Sequence, residues 1–159
     1  MNASTPVIVD ERRIFISSGY GHGGALVDLS AAEPVAQWES QAIKTQLSGC
    51  VLVNDLLFGF DEAVLKCIDL EGKERWRKRG LGMGALMASD GRLIVISAQG
   101  ELVIAAADAA AYTERFRTKV LDGGAFWATP VLCGGLIYCR SGAGELVCLD
   151  HRAQPSEKD

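Results

Sequence analysis

The chain has no apolar run approaching the roughly 18 residues a membrane-spanning helix needs. Its start, Met1 to Pro6, is polar, with no basic n-region and no apolar h-region, so no export signal is expected in this chain. It has only two histidines, His22 and His151, and no CxxC pair, which leaves little from which to build a zinc site. The five cysteines (Cys50, Cys67, Cys133, Cys139 and Cys148) are odd in number, and most of their neighbours are Val, Leu, Ile and Gly. They read as small buried hydrophobes in strands. Positive charge is not in excess: the net charge is −4, which counts against nucleic acid as the main partner. No serine or cysteine has a recognisable partner for nucleophilic catalysis. What is present is 159 residues of globular composition, 48% hydrophobic and 23% charged, enough for one domain with its own core.

The chain repeats. Four segments each carry a short apolar run, a turn, a second run, a Gly or Asp turn, a third run and then an aspartate. The units span about 5–40, 48–79, 84–118 and 128–152, with a polar tail at 153–159. The aspartates are Asp28, Asp69, Asp108 and Asp150, spaced 41, 39 and 42 apart. An aromatic follows at Trp38, Trp76 and Phe116, spaced 38 and 40. A period near 40 with several short strands per unit predicts an all-β fold, a β-propeller of four-stranded antiparallel blades. About four blades are present, the last without its fourth strand, so the propeller is partial. Asp90-Gly91 and Gly134-Gly135 sit between apolar runs, where tight hairpins want positive φ.

Gly19-x-Gly21-x-x-Gly24 matches the spacing of a dinucleotide-binding loop. That chemistry needs a helix directly after the loop, because the helix N-terminus holds the pyrophosphate. The residues after Gly24 are instead "ALVDL", then Ser30 and, shortly after, Pro34. In repeat register these glycines fall in the turn between the second and third strands of a unit, so they are expected to form a hairpin. "AAADAAAYTERF" (Ala105 to Phe116) has high helix propensity. The repeat instead makes it the end of a third strand, a loop and a fourth strand, with room for a helical turn near Ala109 to Thr113.

"CIDLEGKERW" (Cys67 to Trp76) resembles the tryptophan-docking repeat of the pyrroloquinoline-quinone (PQQ)-like β-propellers. Asp69, Gly72 and Trp76 match its pattern, with Glu71 where Thr is usual; the copies at Asp28/Trp38, Asp108/Phe116 and Asp150 are degenerate. The likeness runs from Thr5 to about Arg152 and is to the C-terminal half of a larger ring. Asp69, Gly72, Trp76, Trp38 and Phe116 are therefore expected to be blade-docking residues. The Asp closes the turn, the Gly takes positive φ, and the aromatic packs on the neighbouring blade.

Two functions fit the resemblance. One is a non-catalytic module for protein interaction or assembly, like the envelope assembly factors that share the repeat. Its partner would be another protein, or a second copy completing the ring. The other is part of a quinone-dependent dehydrogenase-like enzyme, with PQQ and calcium. The chain lacks the adjacent cysteine pair often found in such enzymes, and no acidic cluster stands out. No cofactor is therefore expected. The resemblance implies the periplasm or cell envelope. Tyr20, His22, Asp61, Glu62 and Arg140 lie in or beside second-to-third strand turns, which cluster on one end of a propeller, and they are the candidate binding face. Asp61-Glu62 reads as a solvated hairpin turn. In "KERWRKR" (Lys73 to Arg79), alternation turns Arg75, Arg77 and Arg79 outward from the side that carries Trp76, the pattern of an edge strand guarded by charge.

Overall fold

The computed structural model describes residues 3–152, and the expected tail at 153–159 lies outside them. Four antiparallel meanders succeed one another along the chain. Blade 1 is β1 (Val7–Ile8), β2 (Arg13–Ser18), β3 (Gly23–Asp28) and β4 (Val35–Ser40). Blade 2 is β5 (Val51–Val53), β6 (Leu56–Asp61), β7 (Val64–Asp69) and β8 (Glu74–Lys78). Blade 3 is β9 (Ala85–Ser89), β10 (Arg92–Ile96), β11 (Glu101–Ala106) and β12 (Glu114–Lys119). Blade 4 has β13 (Val131–Cys133), β14 (Leu136–Arg140) and β15 (Leu146–Asp150). The protein is an all-β partial propeller of four blades.

Local chemistry explains the turns. Asp90 and Gly91 both take positive φ, 48° and 66°, the type I′ geometry whose twist matches the flanking strands. Gly19 to Gly24 runs from the end of β2, through the turn at 19–22, into β3, and Ser18 pairs with Gly23. No helix comes after it, so the glycine pattern belongs to a hairpin. Gly24 is needed for a different reason: a Cβ there would sit 2.7 Å from the Phe15 ring. The alanine-rich stretch also obeys the repeat, as the end of β11, a loop and β12, with no helical turn.

The docking motif is visible at atomic level. Leu26 faces Trp38, Cys67 faces Trp76 and Ile104 faces Phe116, with a bulge one step further along in each case. The Trp38 indole donates to the Leu70 carbonyl of the next blade at 2.6 Å, and Trp76 donates to Asp108 O at 2.7 Å. Gly72 has φ +77°, and a Cβ there would meet the Trp38 ring at 3.0 Å, so this glycine gives both the turn and the seat for the indole. Each repeat aspartate closes its turn by accepting from the amide two residues on: Ser30, Glu71, Ala110 and Arg152. Asp108, however, is not at the strand position of the other three. Asp28, Asp69 and Asp150 end their strands opposite Arg13, Leu56 and Leu136, whereas Ala106 holds that place opposite Arg92. The turn in blade 3 starts two residues later, and its aspartate moves with it.

Phe116 keeps the docking register but has no N–H to donate. Its ring is 52% exposed beside a recess of about 860 Å³ that Ile104, Leu149, Asp150 and His151 also line. Phe116→Trp is expected to stabilise the fold by about 1 kcal/mol, from added apolar burial and one hydrogen bond to the turn at Asp150. A raised urea midpoint would check this; an unchanged midpoint would mean that the turn presents no carbonyl there.

Three apolar cores lie between consecutive blades. Phe15, Leu26, Leu57 and Ile68 join blades 1 and 2. Phe58, Cys67, Trp76, Leu93 and Ala105 join blades 2 and 3. Ile94, Ile96, Leu102, Ile137 and Cys139 join blades 3 and 4. Among the described residues no such core joins blade 4 to blade 1, so the ring is open. This corrects the expectation for two of the cysteines. Cys67 and Cys139 are buried, and burial pushes the Cys67 thiol up to about 12. Cys133 and Cys148 are exposed, because they lie on the uncovered side of the last blade.

Candidate functional site

In a four-stranded meander, the turn between the second and third strands and the connector to the next blade fall at the same end. That end carries the turns at 19–22, 62–63, 97–100 and 141–145 and the connectors at 41–50, 79–84 and 120–130. The first connector is clasped to the blades. Ser17 Oγ accepts from the Thr45 amide at 3.0 Å and donates to Ile43 O at 3.2 Å. Ser48 Oγ donates to Gly84 O at 3.2 Å. The third connector, which carries Trp127, is tied to blade 4 by the Gly142 amide, which donates to Ala125 O at 2.7 Å.

Four of the five candidate residues lie exposed at this end. Tyr20, with φ +57°, is 65% exposed. His22 is exposed, and its carbonyl accepts from Gln41 Nε2 at 2.8 Å. Glu62 is exposed in its turn with φ +54°. Arg140 is exposed at the end of β14.

Asp61 departs from the expectation of a solvated turn. It is only 9% exposed, and its Oδ2 lies 2.6 Å from Lys66 Nζ. Lys44, from the connector, approaches the other oxygen at 3.2 Å. Lys66 is itself buried; it also reaches Glu74 at 3.4 Å and donates to Ala42 O at 2.6 Å. This is an internal ion cluster that ties β6, β7 and β8 to the connector. Asp61 thus does not belong to the exposed face.

One residue of that face was missed. Trp127, in the connector to blade 4, is 51% exposed and shares a shallow recess of about 500 Å³ with Arg140, Gly124, Ala125 and Gly142. The signal was available: Trp127 is the one tryptophan outside the docking register of Trp38 and Trp76. An indole that docks no blade and stays half in water is a binding candidate, and Trp, Tyr and Arg are the side chains that dominate binding energy at protein interfaces.

A calcium–quinone site needs oxygen ligands converging on a cation. Among the described residues, no three His, Cys, Asp or Glu side chains come together to hold a metal. Asp61, the buried acid, has two ammonium groups against it, the wrong sign of charge for calcium. These residues do not fit such a site. No helix among the described residues is long and apolar enough to cross a membrane.

A family model described as outer membrane protein assembly factor BamB matches residues 61–154, more than half of the chain. A comparison with curated proteins found no match. Among solved structures, the computationally designed Ika4 protein is similar over 94% of this chain and 93% of its own, at 11% identity and a TM-score of 0.60, a likeness of fold. BamB from Moraxella catarrhalis is similar over 97% of this chain at 14% identity and a TM-score of 0.47; this chain spans 60% of its length.

Proposed function

Since the chain belongs to the family described as outer membrane protein assembly factor BamB, we propose that it is a non-catalytic propeller module for protein interaction, acting in assembly at the cell envelope. The observation that carries this reading is Trp127, half exposed beside Arg140 at the turn end of the β scaffold. Tyr20 and His22 extend the same end onto blade 1. An aromatic anchor with an adjacent guanidinium on a pre-ordered surface binds at little cost in conformational entropy.

The test is cross-linking in intact cells with a tagged chain, read by mass spectrometry. Trp127→Ala is expected to reduce the main cross-linked partner about tenfold, an anchor loss near 1.4 kcal/mol. Its effect on folding is expected to stay within about 0.5 kcal/mol, as for an exposed residue. An unchanged set of partners would overturn the reading of this face. The non-catalytic half has its own test, the melting temperature with PQQ and calcium. A resident cofactor at a hundredfold excess over its dissociation constant would add about 2.7 kcal/mol, and none of that gain is expected.

A further inference from the structure

The three buried blade contacts are one contact repeated. In each, a cross-strand pair on the forward side of one blade meets a pair on the rear side of the next. Phe15–Leu26 meets Leu57–Ile68, Phe58–Cys67 meets Leu93–Ala105, and Ile94–Ile104 meets Ile137–Leu149. In the same register, the rear pair of blade 1 is Ile14–Val27 and the forward pair of blade 4 is Tyr138–Cys148. Neither pair belongs to a core cluster. The side chains next to them are apolar and exposed. Ile8, opposite Ile14, is 76% exposed, and Val131, opposite Tyr138, is 54% exposed. Leu146, two residues before Cys148 and on its side of the strand, is 65% exposed.

We propose that two copies of this chain close into one ring, the Tyr138–Cys148 side of each packing on the Ile14–Val27 side of the other. The repeat itself identifies the occupant. The two uncovered sides are the complementary halves of an interface this sequence already forms three times, and both halves are carried on one chain. A second copy supplies each half with its complement, twice over and related by a twofold axis, so the association closes instead of growing. It also removes two exposed apolar sheet faces, which a monomer would have to leave in water. This surface is separate from Trp127 and Arg140, and the proposal goes beyond the module's binding of other proteins.

The experiment combines mass in solution with thiol reactivity. The chain is expected to elute with a light-scattering mass of twice 17.0 kDa. Ile14→Lys and Tyr138→Lys should each give monomers with an unchanged β-sheet circular dichroism spectrum. An equimolar mixture of Ile14→Asp and Tyr138→Lys chains should recover the dimer, because a mixed pair has one native contact and one that sets Asp against Lys. Maleimide labelling of Cys148 should be about tenfold faster in Ile14→Lys than in the unmodified chain. The two residues lie on opposite terminal blades, so only contact between copies can link them. Three results would each overturn the proposal: a monomeric unmodified chain, open assemblies larger than two copies, or a dimer whose mass and Cys148 labelling ignore Ile14→Lys.

Discussion

Trp76→Ala is expected to cost about 4 kcal/mol of folding stability, the range for removing a buried large aromatic. Trp76, on the edge strand β8, is 8% exposed in the core between blades 2 and 3. Its ring lies 5.8 Å from that of Phe58 in its own blade and 5.7 Å, edge-on, from that of Tyr112 in the next. Its N–H satisfies the Asp108 carbonyl in the loop of that next blade. Truncation therefore opens a cavity and leaves an acceptor unpaired at the same point. In a repeat architecture each blade depends on contacts with its neighbours, so losing this contact weakens the coupling between blades 2 and 3. Trp76→Phe separates the two terms: it keeps most of the ring and should cost about 1 kcal/mol for the lost hydrogen bond. Trp38→Ala should cost less than Trp76→Ala, because Trp38 is only partly buried. Urea unfolding with its slope checks all three. A loss below about 1 kcal/mol for Trp76→Ala would mean that this docking contact does not hold the blades together.

The second large effect is at Lys66. Lys66→Met is expected to cost about 3 kcal/mol, because it leaves Asp61 buried with one partially exposed cation, Lys44, as its remaining ion-pair partner. Asp61→Leu leaves the buried Lys66 ammonium with Glu74 at 3.4 Å and should cost a similar amount. The double variant, Asp61→Leu with Lys66→Met, is expected to fall within about 1 kcal/mol of the parent, since neither charge then has to be desolvated. A double-mutant cycle measures this directly as a coupling of about 5 kcal/mol, the two single losses together less the small loss of the double. Additive single losses would mean that the two groups are solvated independently, contrary to their burial here.

The repeat and the hairpins were legible in the residues because their causes are local. Strand alternation, an Asp-Gly turn and an aromatic seven to ten residues past Asp28, Asp69 and Asp108 are properties of neighbouring residues. Tyr112 was not legible. It serves the docking of Trp76 from an adjacent blade, and its spacing from Trp76 matches no motif. Asp108 was paired with the other aspartates by sequence position, yet it turned out two residues late. A loop can absorb two residues without changing which turn its aspartate closes.

The sequence by itself determined the all-β repeat, the four units and the hairpin made by Gly19 to Gly24. All of these arise from backbone preference and periodicity within one unit. Only the tertiary structure decided which polar and apolar side chains see water. Asp61 is sealed by a connector that passes over its turn, and Trp127 is left exposed by another connector. Cys148 lies open although Cys67, in the same register, is buried. Burial depends on whether another blade or loop lies against a side chain, and one unit's residues do not encode its neighbour's presence.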